Sequence, residues 1–324
     1  MTAPARTAVR GSQPDRQFAH LGLLYGTRPD YLAGVTDFLR AGLDRDEPLL
    51  VAVPGDRHDA LRERLGAGHT AVRWLDMSEA GRNPGRILPR VLLGFAEEHG
   101  GRRVRMVGEP VWPGRSAEEY PACVQHEALI NHAFDGLPAS ILCPYDAAGL
   151  DATALADAGA THPLLSGPEL GGRPAPSPGY APDAVLAQAN ISLGDPPAGY
   201  REQLVELETI RLARRLATGL GAELGLSRAR LGDLALVVTE LVTNGVEHGG
   251  GTSRLRVWDT GEHLVCETHD HGALADPLAG RIPARPGQRR GFGLLLVNEM
   301  ADLVRTHTTA TTTTFRVYFR RSAE

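Results

Sequence analysis

Between residues 18 and 162, short apolar runs alternate with stretches whose apolar residues recur at helical spacing. The runs at 21–25, 49–53, 72–75, 104–107 and 140–142 read as buried strands, and helices are expected at 29–42, 56–65, 84–99 and 117–134. Strand and helix in strict alternation call for right-handed crossovers, which predicts an open, mostly parallel α/β sheet. Residues 163–200 are dense in Pro and Gly and read as a linker with one short helix between its halves. Beyond residue 200 the pattern changes. Leu204, Leu207, Ile210, Leu212, Leu216 and Leu220 form an apolar stripe that predicts a helix over 201–219, with a second helix at 227–248. Strands near 253–258 and 262–269, a helix at 292–302 and a last strand at 314–320 complete an expected α/β sandwich. The polar segment 1–17 is expected to be disordered.

Composition narrows the chemistry. All 34 basic residues are Arg, so a Walker lysine, a Schiff base and a lysine general base are excluded. The net charge of −5 and the lack of a basic run argue against nucleic-acid binding. No apolar stretch reaches membrane-spanning length, and 1–17 has no apolar signal core. Cys123, Cys143 and Cys266 are odd in number and lack a CxxC spacing, which fits reduced thiols in a cytoplasm.

Three patterns in the last 125 residues or so carry chemistry. In ELVTNGVEH, Glu240, Asn244 and Glu247/His248 share one helix face, with Leu236, Val237 and Leu241 on the apolar side. A carboxamide one turn from a carboxylate suits a magnesium–nucleotide site: the amide oxygen meets the metal and the carboxylate takes a proton. In HDHGALADP, Asp270 ends a strand and Gly272 lets backbone approach a flat ligand. An Asp there suits the exocyclic amine of adenine. In RRGFGLLLVNEM, Gly291 and Gly293 open a helix whose free N–H groups can hold phosphate, with Arg289 and Arg290 beside them.

On these motifs, residues 201–324 resemble the HATPase module of anti-sigma-factor serine kinases of the RsbW type, in the GHKL superfamily. The resemblance implies a Bergerat α/β sandwich that binds ATP and Mg²⁺. Asn244 is then the magnesium ligand and Glu240 the catalytic base. Asp270 and Gly272 contact adenine, and Arg290, Gly291, Gly293 and Leu294 lie on the phosphate side, with His248 beside the nucleotide. Thr313, opening the closing strand, helps to fix adenine. Two positions depart from the family pattern. Ala273 stands for the second glycine of the adenine loop, and Ala310 or a threonine stands for the glycine before the closing threonines. Ala273 cannot take positive φ cheaply, so the loop is expected to be set differently, with catalysis more affected than binding.

In the first half, an open α/β sheet places its ligand site at the carboxyl ends of the strands. Tyr25, Asp76, Glu109, Cys143, Tyr145 and Asp146 gather there, and His20 precedes the first strand. The loop GTRPD is no P-loop. His126, Glu127, Cys143 and His162 match no standard metal-ligand spacing and read as core or surface residues.

The motifs FAHLGLLY, GRNPGR, GEPVWPGR, HEALIN, LCPYD and THP resemble those of the MEDS sensory domain, over about 18–180. That implies a RecA-like fold without the phosphate loop and a small-molecule sensor. His20, Tyr25, Asn83, Glu109, Arg115, Glu127 and Tyr145 are its candidate ligand residues, with Trp112 and Asn131 in the same motifs. Asn83 also reads as a helix cap before Pro84. The expected order is thus a tail at 1–17, a sensory domain at 18–180, a linker at 181–200 and the HATPase module at 201–324. The family resemblances imply a cytoplasmic anti-sigma factor or serine/threonine kinase, with a sigma factor and a STAS anti-anti-sigma protein as partners, and leave a homodimer open. The alternatives are a nucleotide-binding partner switch without phosphoryl transfer, which Ala273 favours, and a sensor histidine kinase. Against the latter, 201–219 contains no His and follows a Pro-rich segment.

Overall fold

The computed structural model describes residues 18–283 and 291–321, so the tail at 1–17 and the expected phosphate contact at Arg290 lie outside the described residues. In the first half β1 (Ala19–Tyr25), α1 (Arg28–Leu43), β2 (Leu49–Val53), α2 (His58–Leu65) and β3 (Val72–Asp76) alternate as the apolar pattern requires. They are followed by α3 (Met77–Ala80), α4 (Pro84–Arg86), α5 (Gly94–Glu98), β4 (Val104–Gly108), α6 (Tyr120–Ala133), β5 (Ala139–Asp146) and α7 (Ala152–Thr161). The sheet runs β3-β2-β4-β5-β1 and continues through β6 (Leu164–Ser166) and β7 (Ala175–Pro176). Its pairs are parallel except β6 with β7. Every residue of β2 and β4 is buried, as strands covered on both faces must be. Thr27 starts α1 by accepting from Asp30 N, with Pro29 in the first turn, where no N–H is needed.

The expected helix at 84–99 carries a π-helical segment at Ile87–Leu93, where Pro89 has no N–H to give to an α-helical ladder. In the Pro- and Gly-rich stretch, α8 (Pro182–Ala189) packs Val185 and Ala189 against Val124 and Ala128 of α6.

The second half holds β8 (Arg201–Val205), α9 (Ile210–Glu223), α10 (Arg228–His248), β9 (Ser253–Asp259), β10 (His263–Asp270), α11 (Gly293–Met300), β11 (Leu303–Thr308) and β12 (Thr313–Arg320). Its sheet is antiparallel, in the order β11-β12-β10-β9-β8. α9, α10 and α11 pack on it around a core that includes Ala217, Val237, Leu241, Val297, Val317 and Phe319. The expectation of one helix over 201–219 is corrected here. Residues 201–205 pair with β9, and Glu206 and Thr209 form a reciprocal capping box before the helix begins. Leu204, Leu207 and Leu212 are consequently exposed, and Ala213, Ala217 and Leu220 supply the buried side of α9.

The two halves meet through α4 and α11. Asn83, fully buried, caps α4 by accepting from Gly85 N (3.1 Å). Its Nδ2 donates to Asn298 O (2.8 Å) and its Oδ1 also accepts from Val304 N (3.3 Å). Arg82 pairs with Asp302 (2.8 Å), and Arg305 donates to Glu118 O (2.6 Å). Asn190, beyond α8, exchanges two hydrogen bonds with the backbone of Thr308 (2.7 and 2.9 Å). Replacing Asn83 with Ala leaves several buried backbone groups without partners, at about 1 kcal/mol or more each, so a loss on the order of 3 kcal/mol is expected. Urea unfolding of the full chain measures it, and an unchanged midpoint would show that this junction is not a stabilising contact.

Candidate functional site

Ser227 caps α10 by accepting from Arg230 N, and Leu234, Val237, Val238, Leu241 and Val242 turn one side of the helix into the core. The opposite side then presents Glu240, Asn244, Glu247 and His248 to a cavity of about 1260 Å³. Asp270 and Gly272 at the end of β10, Thr313 at the start of β12, and Gly291, Gly293 and Leu294 at the start of α11 line the same cavity. The three motifs therefore converge on one space.

Two glycines make this convergence sterically possible. A Cβ on Gly293 would stand 2.5 Å from Glu240 Oε2, so a side chain there would push the α10 carboxylate out of its present position. A Cβ on Gly249, just beyond α10, would stand 2.5 Å from Asp270 Cβ and 2.7 Å from its Oδ1. Sequence reading takes the Gly249–Gly251 run only as a helix stop.

Asp270 is buried at the bottom of this space. Burial raises its carboxyl above the ordinary range, and the bond from Gly272 N to Oδ1 (2.9 Å) partly counters that. Thr313 Oγ1 donates to Gly272 O (2.7 Å) and lies 3.0 Å from Thr308 Oγ1, which also accepts from Leu274 N (3.1 Å). Thr308 is thus a part of the site that the motifs do not mark. Among the described non-glycine residues only Asp46 has positive φ, so Ala273 sits in an ordinary backbone conformation and the loop carries no strain there. At the other end, α11 starts without a side-chain cap among the described residues, and its first turn lines the cavity. The described lining contains acidic Glu240, Glu247, Asp270 and Asp276 and no Arg. An anion would be met by a helix start and by a cation held at Asn244, and the residues present fit a nucleotide with a divalent ion.

The candidate sensory residues divide among four places. Tyr25 and Tyr31 hydroxyls donate to opposite oxygens of the buried Glu109 (3.5 and 3.4 Å), and Arg57 bonds both Glu109 and the Tyr25 hydroxyl. Burial pushes the Glu109 carboxyl up, while Arg57 and the two tyrosines pull it back. Beside this group a cavity of about 290 Å³, lined by Tyr25, Tyr31, Arg57 and Asp146, opens at the carboxyl ends of the strands. Tyr31 and Arg57 escape sequence reading because neither lies in a motif.

His20, Glu127 and Tyr145 lie instead in the core, where Cys143 and His162 join them. Burial, with His162 alongside, pushes the His20 imidazole down to about 4. His126 is not in this group, although it neighbours Glu127 in sequence. Asn83 serves the contact between the halves. Arg115 stacks on Trp112 (3.9 Å) and donates to the backbone of Pro110 and Gly81.

Residues 19–163 match the family model of the MEthanogen/methylotroph, DcmR Sensory (MEDS) domain, and residues 204–319 match that of the histidine kinase-like ATPase domain. No curated protein matches the chain. Among solved structures, a match is the crystal structure of the RsbU and RsbW domains of a Mycobacterium tuberculosis protein, at 19% identity and a TM-score of 0.30. That match covers 40% of this chain and 34% of the other, so the chain spans about a third of that structure's length. No described helix is long and apolar enough to cross a membrane.

Proposed function

The chain carries a MEDS domain joined to a histidine kinase-like ATPase domain, and from that premise we propose that it is a signal-responsive anti-sigma factor and serine/threonine kinase. It binds ATP with Mg²⁺ in the second half, senses a small molecule in the first, and acts on a sigma factor and a STAS-domain partner. The observation that carries this reading is the single cavity shared by Glu240, Asn244, Asp270, Gly293 and Thr313.

In this reading Asp270 accepts from the adenine amine and Thr313 holds the loop that flanks the ring. The Asn244 amide oxygen ligates Mg²⁺, and the uncapped start of α11 faces the phosphates. Glu240 takes the proton of the acceptor hydroxyl as its oxygen bonds the γ-phosphorus and the bond to the ADP oxygen breaks. The product pair is a phosphoserine or phosphothreonine and ADP. The ordinary backbone at Ala273 removes a reason to favour a purely non-catalytic switch.

The test is transfer of radiolabel from γ-labelled ATP to a panel of STAS-domain proteins. Label on Ser or Thr is expected with the parent chain, with a fall of about 100-fold or more for Glu240→Gln at retained nucleotide affinity. Asn244→Ala is expected to remove the magnesium dependence of binding. Nucleotide binding with no label on any partner would overturn the kinase reading.

A further inference from the structure

The buried group in the first half brings together four side chains from four elements: His20 of β1, Glu127 of α6, Cys143 of β5 and His162 at the end of α7. One donor atom from each lies within 4.8 Å of all the others, and all four residues are buried. Their hydrogen bonds fix which atoms face inward. Asn131 Nδ2 donates to three backbone carbonyls, of Glu127 (3.3 Å), Ala128 (3.2 Å) and Thr161 (2.8 Å). Its Oδ1 is therefore the atom that lies 3.1 Å from His20 Nδ1, and that nitrogen carries a proton. His162 Nδ1 likewise faces a carbonyl, Ala158 O at 2.8 Å, and must donate to it.

With both Nδ1 atoms committed to these partners, the two Nε2 atoms are left to face the same carboxylate oxygen, and His20 Nε2 also lies 3.5 Å from Cys143 Sγ. His20 Nε2 is 3.3 Å and His162 Nε2 3.2 Å from Glu127 Oε2. Neither Glu127 oxygen nor His162 Nε2 has a hydrogen-bond partner of acceptable geometry. Two imidazole nitrogens and a carboxylate oxygen thus crowd one point in the buried core, an arrangement that costs free energy unless something positive lies among them. A proton on one nitrogen would leave the other facing the carboxylate. A metal ion would satisfy both.

We propose that this cluster is a zinc site, with His20 Nε2, His162 Nε2, Glu127 Oε2 and Cys143 Sγ as its four ligands. Tetrahedral zinc with ordinary bond lengths separates its nitrogen and oxygen ligands by about 3.3 Å, and a nitrogen from a sulphur by about 3.6 Å. The two histidine–carboxylate separations, and the 3.5 Å between His20 Nε2 and Cys143 Sγ, match those edges. Charge agrees as well. One carboxylate and one thiolate neutralise Zn²⁺, so the loaded site is uncharged, as a fully buried site needs to be. Binding releases the Cys143 thiol proton to solvent. Asn131 and the Ala158 carbonyl hold the histidine tautomers from outside, as partners of metal-bound imidazoles do. Four protein ligands leave no open coordination position, so the ion ties α6 and the end of α7 to the centre of the sheet.

The experiment uses the untagged full-length chain. Elemental analysis is expected to find a single zinc per molecule. After chelation and refilling with Co²⁺, the spectrum should show intense tetrahedral d–d bands and a near-ultraviolet thiolate-to-cobalt band. Cys143→Ser should lose the thiolate band, and Asn131→Ala, a positioning change, should weaken zinc binding by about 10- to 100-fold. A folded parent chain that neither retains nor takes up zinc overturns the proposal, and so does a thiolate band that survives in Cys143→Ser. If Cys143→Ser does not fold, the metal content and cobalt spectrum of the parent chain decide alone.

Discussion

Replacing Asp270 with Asn is expected to weaken adenine-nucleotide binding by about 10- to 100-fold, the loss of one charge-assisted hydrogen bond of roughly 1.5–3 kcal/mol. The substitution keeps the shape against which Gly249 and Gly272 are packed, so the effect reports charge and not collapse of the loop. Acid should have the same effect as the substitution. The folded-state pKa of Asp270 is raised by burial, so its protonation stabilises the nucleotide-free fold as pH falls through that raised value toward the unfolded one. Nucleotide affinity moves the other way, because the protonated group no longer accepts fully from the adenine amine. Calorimetric titration with ADP across the acidic range would read both. Equal affinity for parent and Asp270→Asn at neutral pH would remove adenine recognition from this residue.

The largest loss of stability is expected from Glu267→Ala, at about 3–5 kcal/mol, the cost of leaving a buried charge without its partner. Glu267 lies on β10 directly across from Arg316 on β12 and Arg256 on β9, and is 3% exposed. Its Oε2 accepts from Arg316 Nε (2.9 Å) and Nη2 (2.5 Å), and Arg256 adds a longer contact of 3.4 Å. Arg316 in turn stacks on Trp258 (5.1 Å) and donates to the carbonyls of Leu193 and Gly194 (2.6 and 2.8 Å). Losing the carboxylate therefore also frees the segment that enters the second half from α8. Guanidinium-induced unfolding gives the number. A cost below about 1 kcal/mol would show that solvent reaches the arginine pair readily.

The parallel sheet was legible because β2 and β4 are unbroken apolar runs, and such runs between helical patterns have few other readings. The start of the second half was not. Leu204, Leu207 and Leu212 imitate a helical stripe, yet the edge of the sheet needed a strand at Arg201–Val205, and pairing with β9 outweighed local periodicity. The helix α7 was missed because ATALADAGAT offers almost no contrast between apolar and polar positions. The shared cavity of the second half could be anticipated because each of its motifs is contiguous, with Glu240 and Asn244 one turn apart on one helix. The cluster of His20, Glu127, Cys143 and His162 could not, since each residue arrives on a different element and only the sheet order brings β1 beside β5. Ligand spacing in sequence is informative for a hairpin or a single helix and carries little for a site assembled across a sheet.

The bond from Asn83 to Asn298 ties the cap of a first-half helix to the body of α11, whose start lines the second-half cavity. Any event that shifts α11 must do work on α4, and any event that shifts α4 must do work on α11. Binding at the two halves is then subject to reciprocity. If nucleotide changes the affinity of the first half for its ligand by some factor, that ligand changes the affinity for nucleotide by the same factor. On the proposed function, a chain of this build would then answer to the supply of nucleotide as well as to its signal.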